Sequence, residues 1–322
     1  NRLRGLPAVT TDGARIGLQA NLELPRDLDT ALHGGAEGIG LLRTEFLFMN
    51  RPDLPSEDEQ YASLRHVVET LDGRPVTIRT LDVGGEKLAT ALGERIAESA
   101  NPALGLRAIR LALKEPKLLE TQLSAILRAG AHGPVRILLP MISSVSQVRA
   151  VRSILARVVT RLKRRKVPIA NPVPPLGVMI EVPGAALTAD ALARECDFMA
   201  LGTNDLTMYT LAIDRGDEQV ADLYNPLHPS VLRLIQFTVE AAHRNGIPVS
   251  VCGEIAGDPR YAPLLVGLGV GELSMAGTAL PRVKQRIRRL AAGPATQRAR
   301  AIMDQVDETR IATLLDDFNE GL

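Results

Sequence analysis

A chain of 322 residues, 45% hydrophobic and 23% charged, holds enough apolar surface for a large core, which excludes disordered and fibrous classes. Its formal net charge of +1, from 38 Lys and Arg against 37 Asp and Glu, supplies no general field for nucleic acid or a membrane surface, so any anion must be recognised locally. Two cysteines far apart, Cys196 and Cys252, give neither a disulfide framework nor a zinc pattern and fit a reducing cytosol.

Residues 1–12 read as a linker. The opening NRLRGLPAVTTDGARIG has neither the apolar core nor the cleavage site of a signal peptide, and its start without Met suggests a fragment or a processed chain. Strand-like runs then follow in order: RIGLQANLE from Arg15, GIGLLRTEF from Gly38 and VTIRTLDV from Val76. The stretch from Gly84 to Gly133 exceeds one helix, and predicts a loop plus two helices starting near Asn101-Pro102 and Leu118. A fourth strand, VRILLPMIS from Val135, precedes a helix whose apolar residues at 145, 148, 151, 154, 155, 158, 159 and 162 form one stripe behind a capping Ser. The basic run Arg161 to Lys166 closes that helix, where cations complement the macrodipole, and reads as a solvated cap. LGVMIEVP from Leu176, FMALGTND from Phe198, VSVCGE from Val249 and ELSMAG from Glu272 complete the set. No run approaches a membrane span, and 3% aromatics without Trp supply few base-stacking platforms.

Eight strands separated by helices predict one closed (β/α)8 barrel over residues 1–322. An open doubly wound sheet usually has fewer strands and a Gly-rich first turn, which the first strand lacks.

In such a barrel the C-terminal strand ends converge on one mouth, where ligands bind. The sequence places Arg43 and Glu45, Arg79 and Asp82, Met141, Glu181, Asn204 and Asp205, Cys252 and Glu254, and Ser274 there. Arg43 and Arg79 read singly as structural ion pairs or as ligands; joined by Arg215, they form a set that repels itself unless acids or a multiply charged anion neutralise it. Arginine grips phosphate and carboxylate with a bidentate fork. Glu181 and Asp205 are suited to Mg²⁺ or, more simply, to balancing the arginines. Cys252 reads as a buried hydrophobe or, from its place, as an acid or nucleophile; Cys196 reads as structural. The five histidines carry little signal, and GGEK at Gly84 to Lys87 lacks Walker spacing.

AEGIGLLRTEFLFM, IRTLDVGGEK, NPALGLRAIR, GVMIEVPGA, LGTNDLTMYTLAIDR, LYNPLHPSVLRLI and VCGEIAGD together resemble the C-terminal, phosphoenolpyruvate-binding half of enzyme I of the phosphoenolpyruvate:sugar phosphotransferase system, from about Arg15 to about Arg289. TNDLT alone is shared with pyruvate phosphate dikinase and phosphoenolpyruvate synthase, which stand as the alternative. The resemblance implies a dimeric cytoplasmic barrel that binds phosphoenolpyruvate with Mg²⁺, passes its phosphoryl group to a histidine of an N-terminal phospho-histidine domain and thence to the histidine phosphocarrier protein, and releases pyruvate. It implies Arg43, Arg79 and Arg215 on the phosphate with the backbone of Asn204, Glu181 and Asp205 on the metal, Lys87 and Arg107 near the substrate, and Cys252, a thiol of ordinary acidity, as proton donor to the enolate. None of the histidines has the family's GGxxSH-like acceptor setting, so the chain reads as half of an enzyme. A carbon-carbon lyase on the same barrel, and a non-catalytic phosphoenolpyruvate-sensing or dimerisation module, are the readings from other classes. The sequence leaves the sugar and nitrogen branches undistinguished.

Overall fold

The computed structural model describes residues 2–92 and 99–322. Eight short apolar runs form parallel strands β1 (Gly17–Leu22), β2 (Ile39–Leu42), β3 (Val76–Arg79), β4 (Val135–Leu139), β5 (Leu176–Ile180), β6 (Phe198–Leu201), β7 (Val249–Val251) and β8 (Glu272–Met275), closed into a barrel in chain order. Closure is through the β1–β8 pair, in register from Gly17↔Glu272 to Ala20↔Met275. This is the (β/α)8 barrel expected from the sequence.

The helices wrap the sheet: α1 (Leu28–His33), α2 (Glu57–Thr70), α3 (Ala89–Leu92), α4 (Ile109–Lys114), α5 (Pro116–Ala129), α6 (Val145–Arg164), α7 (Pro183–Leu187) and α8 (Ala189–Ala193). They continue as α9 (Thr203–Leu211), α10 (Pro229–Arg244), α11 (Ala262–Gly267), α12 (Leu280–Arg289), α13 (Ala292–Met303) and α14 (Glu308–Glu320). The apolar stripe of α6 is buried from Val148 to Leu162, and its Arg161 pairs with Glu120 rather than standing alone in solvent. α2 starts on a reciprocal cap, in which Ser56 Oγ accepts from the Glu59 N–H and Glu59 Oε2 from the Ser56 N–H. No described helix is long and apolar enough to cross a membrane.

Four features differ from expectation. The strands stop sooner than the apolar runs suggest, because the chain turns as soon as polar groups must face the mouth: Glu45–Leu47 is a 3₁₀ turn, and Thr203, Asn204 and Asp205 open α9 instead of ending β6. Between Gly84 and Gly133 a 3₁₀ turn at Pro102–Leu104 and α4 precede α5, while residues 93–98 of that stretch lie outside the described residues. Residues near the start pack against the barrel, with Ala8 and Thr10 buried and Val9 bridged to Arg15. Ser274, expected at the mouth, is fully buried inside the barrel, where its hydroxyl donates to Asn21 Oδ1 (2.6 Å).

Candidate active site at the barrel mouth

Each strand end delivers what the sequence of its turn contains. Arg43 follows β2, Arg79 ends β3 with Asp82 three residues on, Glu181 follows β5, Asn204 and Asp205 follow β6, and Cys252 follows β7. Together with Arg107 and Arg215 they line one cavity of about 620 Å³. Lys87 departs from the expected set: it sits exposed on the turn Gly85–Leu88 and is not among the residues lining that cavity.

At the floor of the cavity Asp82, Glu181 and Asp205 bring one carboxylate oxygen each within 4.8 Å of the others. Glu181 is buried, and its Oε1 accepts from the Met141 N–H at 2.6 Å. Burial and then the charges of Asp82 and Asp205 push its carboxyl well above the usual range, against the pull of Arg79. Burial would raise Asp82 too, but Arg79 and Arg107 outweigh it and hold that carboxyl below its ordinary value. Arg107 spans the two acids, donating to Asp82 Oδ1 (2.8 Å) and Asp205 Oδ2 (2.8 Å), and Tyr209 accepts from it at 3.0 Å. Arg79 donates to Glu45 Oε1 (2.8 Å), which also accepts from the Asp82 N–H (3.0 Å). Three clustered carboxylates repel one another, and an all-oxygen donor set of this kind fits a hard divalent cation.

The rim is less settled. Arg43 pairs with Glu23, and Arg215 with Glu254 at 3.1 Å, both partners lying outside the acid cluster. Around the same mouth Arg43 Nε, Arg79 Nε, Glu45 Oε2 and Thr203 Oγ1 are buried without a protein partner. These four atoms retain hydrogen-bonding capacity beside the cavity. The first turn of α9 adds free backbone N–H groups, at Asn204 among others, beside the arginines, a natural seat for an anion. The Asn204 side chain itself is committed, its Oδ1 accepting from the Glu254 N–H at 3.0 Å.

Cys252 is buried, with Sγ 3.5 Å from the Leu201 carbonyl. Burial, and then the nearby Glu181 charge, push the thiol up to about 12 despite Arg79 and Arg43, so ordinary acidity is not what this thiol has. It is a proton-holding group at neutral pH. Cys196 is buried away from the mouth, in the structural role expected. Gly253 exists for closeness: a Cβ there would stand 1.9 Å from Thr203 Oγ1 and 3.1 Å from Asn204 Oδ1.

Sequence reasoning placed Asp82 at the mouth but not in the acid cluster, and it missed Glu23 and Tyr209. Asp82 carries a signal, a lone acid just past an apolar strand; Tyr209 carries none, because it arrives through the packing of α9.

The family model described as PEP-utilising enzyme, PEP-binding domain, matches residues 1–292. A phosphoenolpyruvate-protein phosphotransferase of Cupriavidus necator is 50% identical over 287 residues, covering 89% of this chain and 49% of that protein. One from Haemophilus influenzae is 44% identical over 317 residues, covering 98% of this chain and 55% of that protein. The chain thus spans about half the length of these curated relatives. Among solved structures, a citrate lyase from Burkholderia xenovorans LB400 superposes with a TM-score of 0.51 at 15% identity, over 97% of this chain and 95% of that one. An HpcH/Hpal aldolase/citrate lyase family protein from Burkholderia cenocepacia J2315 gives 0.52 at 16%, over 93% and 97%. These two share the fold alone.

Proposed function

We propose a function from one premise: the chain belongs to the PEP-utilising enzyme family, as its PEP-binding domain. It binds phosphoenolpyruvate at the barrel mouth and acts as the phosphoenolpyruvate half of a phosphoenolpyruvate-protein phosphotransferase. One observation carries this reading, the single cavity in which a three-carboxylate cluster faces Arg43, Arg79, Arg107 and Arg215. Phosphoryl transfer asks for positioning and charge neutralisation more than for covalent help, and that is what these groups supply.

Arg43, Arg79 and Arg215 grip the phosphate with the Asn204 backbone N–H, and Arg107 stands beside them. Glu181 and Asp205 hold Mg²⁺, with Asp82 as the third acid of the cluster. Bound there, Mg²⁺ supplies charge neutralisation to substrate oxygens. The ester P–O bond breaks as a P–N bond forms to a histidine of an N-terminal phospho-histidine domain of the same enzyme, which hands the group on to the histidine phosphocarrier protein. The enolate left behind takes a proton at carbon from the Cys252 thiol, and the resulting thiolate is reprotonated from solvent, which receives in turn the proton that the histidine ring loses on phosphorylation. Cytoplasmic location and dimerisation belong to the same reading, with no part for nucleic acid or a membrane. The name borne by the relatives favours it over a dikinase or synthase assignment.

The test is label transfer. Incubated with radiolabelled phosphoenolpyruvate and Mg²⁺, the chain alone should bind substrate yet take up no stable label. Mixed with a separately made phospho-histidine domain it should transfer label slowly, because the tether and its effective concentration are missing. Arg215→Lys should slow this transfer about 100-fold, since an ammonium lacks the bidentate fork. Label fixed on this chain alone refutes the reading, and binding without transfer favours a sensing module.

A further inference from the structure

The four mouth arginines are held in two different ways. Arg79 and Arg107 are tied to Asp82, whose side chain is 2% exposed, and cannot let go without leaving a buried charge unpaired. Arg43 and Arg215 are 34% and 43% exposed, and their partners Glu23 and Glu254 are each 70% exposed. These two acids come from outside the carboxylate cluster, Glu23 from just after β1 and Glu254 from just after β7. Arg43, Arg215 and Glu23 line both the substrate cavity and a second one of about 900 Å³, and Glu254 lines the second beside Arg215. The Glu254 backbone N–H donates to Asn204 Oδ1, which anchors the residue beside Arg215 while its carboxylate stays in water.

Resting on the reading that Arg43 and Arg215 take the substrate phosphate, we infer that Glu23 and Glu254 are built-in competing anions, which occupy these two arginines until a phosphate displaces them. Displacement is easy because both carboxylates return to solvent, and a solvent-exposed ion pair is worth little. A doubly charged phosphate meeting two guanidinium forks outbids a single carboxylate on each. Pyruvate, which has no phosphate, gives the arginines nothing in exchange, so the carboxylates reclaim them once the phosphoryl group has left. Glu23 and Glu254 thereby set the preference of the mouth for phosphorylated over dephosphorylated ligand.

The prediction is counter to the usual effect of removing a residue that touches the site. Calorimetric titration of the full chain with phosphoenolpyruvate and Mg²⁺ should show Glu23→Gln and Glu254→Gln each tightening binding by about two- to fivefold, and the double variant by more. Inorganic phosphate should follow the same trend, while pyruvate affinity stays unchanged. Asp258→Asn, which removes a charge from the second cavity without touching either arginine, controls for the general field. Unchanged or weakened phosphoenolpyruvate and phosphate binding in the Gln variants overturns the inference. So does an equal gain for pyruvate, or an equal gain from Asp258→Asn. Failure of the unaltered chain to bind phosphoenolpyruvate, with phosphate still tightening in the Gln variants, would instead strike the functional reading and leave the competing anions standing. Both glutamates are exposed, so thermal melting of the variants should match the parent.

Discussion

The two ends of the barrel handle charge in opposite ways. At the end opposite the mouth, Lys284 of α12 is 1% exposed and donates to the carbonyls of Leu3 (3.2 Å) and Arg4 (3.1 Å), clipping the first residues to the barrel. At the mouth, charged groups from different strand ends face one another across a cavity, with three carboxylates within 4.8 Å of one another. One end uses its buried charge to hold the chain; the other gathers charge around a cavity. The division follows the rule that barrel strands present chemistry at their C-terminal ends and stability at their N-terminal ends.

The sharpest measurement of that division is thiol reactivity. A thiol pushed up to about 12 is only about 0.01% ionised at pH 8, so alkylation of Cys252 in the native chain should run over about 1000-fold slower than for a free thiol of ordinary acidity. The sign is fixed by the raised value: the proton is retained through neutral pH, and labelling accelerates as pH climbs toward about 12. Stability should fall over the same climb, from about 9 upward, because the unfolded thiol ionises first. Rapid labelling at pH 8 would take Cys252 out of the buried proton-holding class.

Cys252→Ala comes next. Exchange of solvent isotope into the methyl group of pyruvate should drop about 1000-fold, with phosphoenolpyruvate binding much less affected. Normal exchange would return the thiol to a packing role. Asp205→Asn should then weaken Mg²⁺-dependent phosphoenolpyruvate binding at least about 100-fold in calorimetry, with an unchanged circular dichroism spectrum. A large fall in melting temperature with intact binding would break the contrast between the ends. Lys284→Met is the mirror experiment and the smallest effect: about 1–2 kcal/mol of stability lost in denaturant unfolding, and no change in ligand affinity. Weakened binding in that variant would mean the two ends are coupled.

Most of the barrel is legible in the sequence because its strands are short apolar runs punctuated by turn residues, and because α6 keeps a clean helical stripe. Arg43, Arg79, Glu181, Asp205 and Cys252 are legible for the same reason, each following directly on such a run. What escapes is whatever depends on meeting across the chain. Asp82 looks like a counter-ion until Glu181 and Asp205 are seen beside it. Arg107 is expected near the substrate from the family resemblance alone; it reaches the mouth from a segment 25 residues beyond Asp82, positioned through Tyr209 on α9, contacts that no local pattern shows. Lys284 sits in the basic sequence RVKQRIRR, and its burial depends on carbonyls some 280 residues away, which no local pattern shows. TND reads as a strand tail because periodicity does not show that the chain turns into a helix after Gly202.

Gly253 leaves no slack between the tip of β7 and the start of α9. Thr203 lies against its backbone, Asn204 Oδ1 takes the next N–H, and Asn21 Nδ2 donates to the Cys252 carbonyl at 2.9 Å. The strand end that carries the thiol and the start of α9 are therefore packed directly on each other. A single added methyl group at position 253 would force them apart, and with them the two groups of residues that the proposed reaction uses.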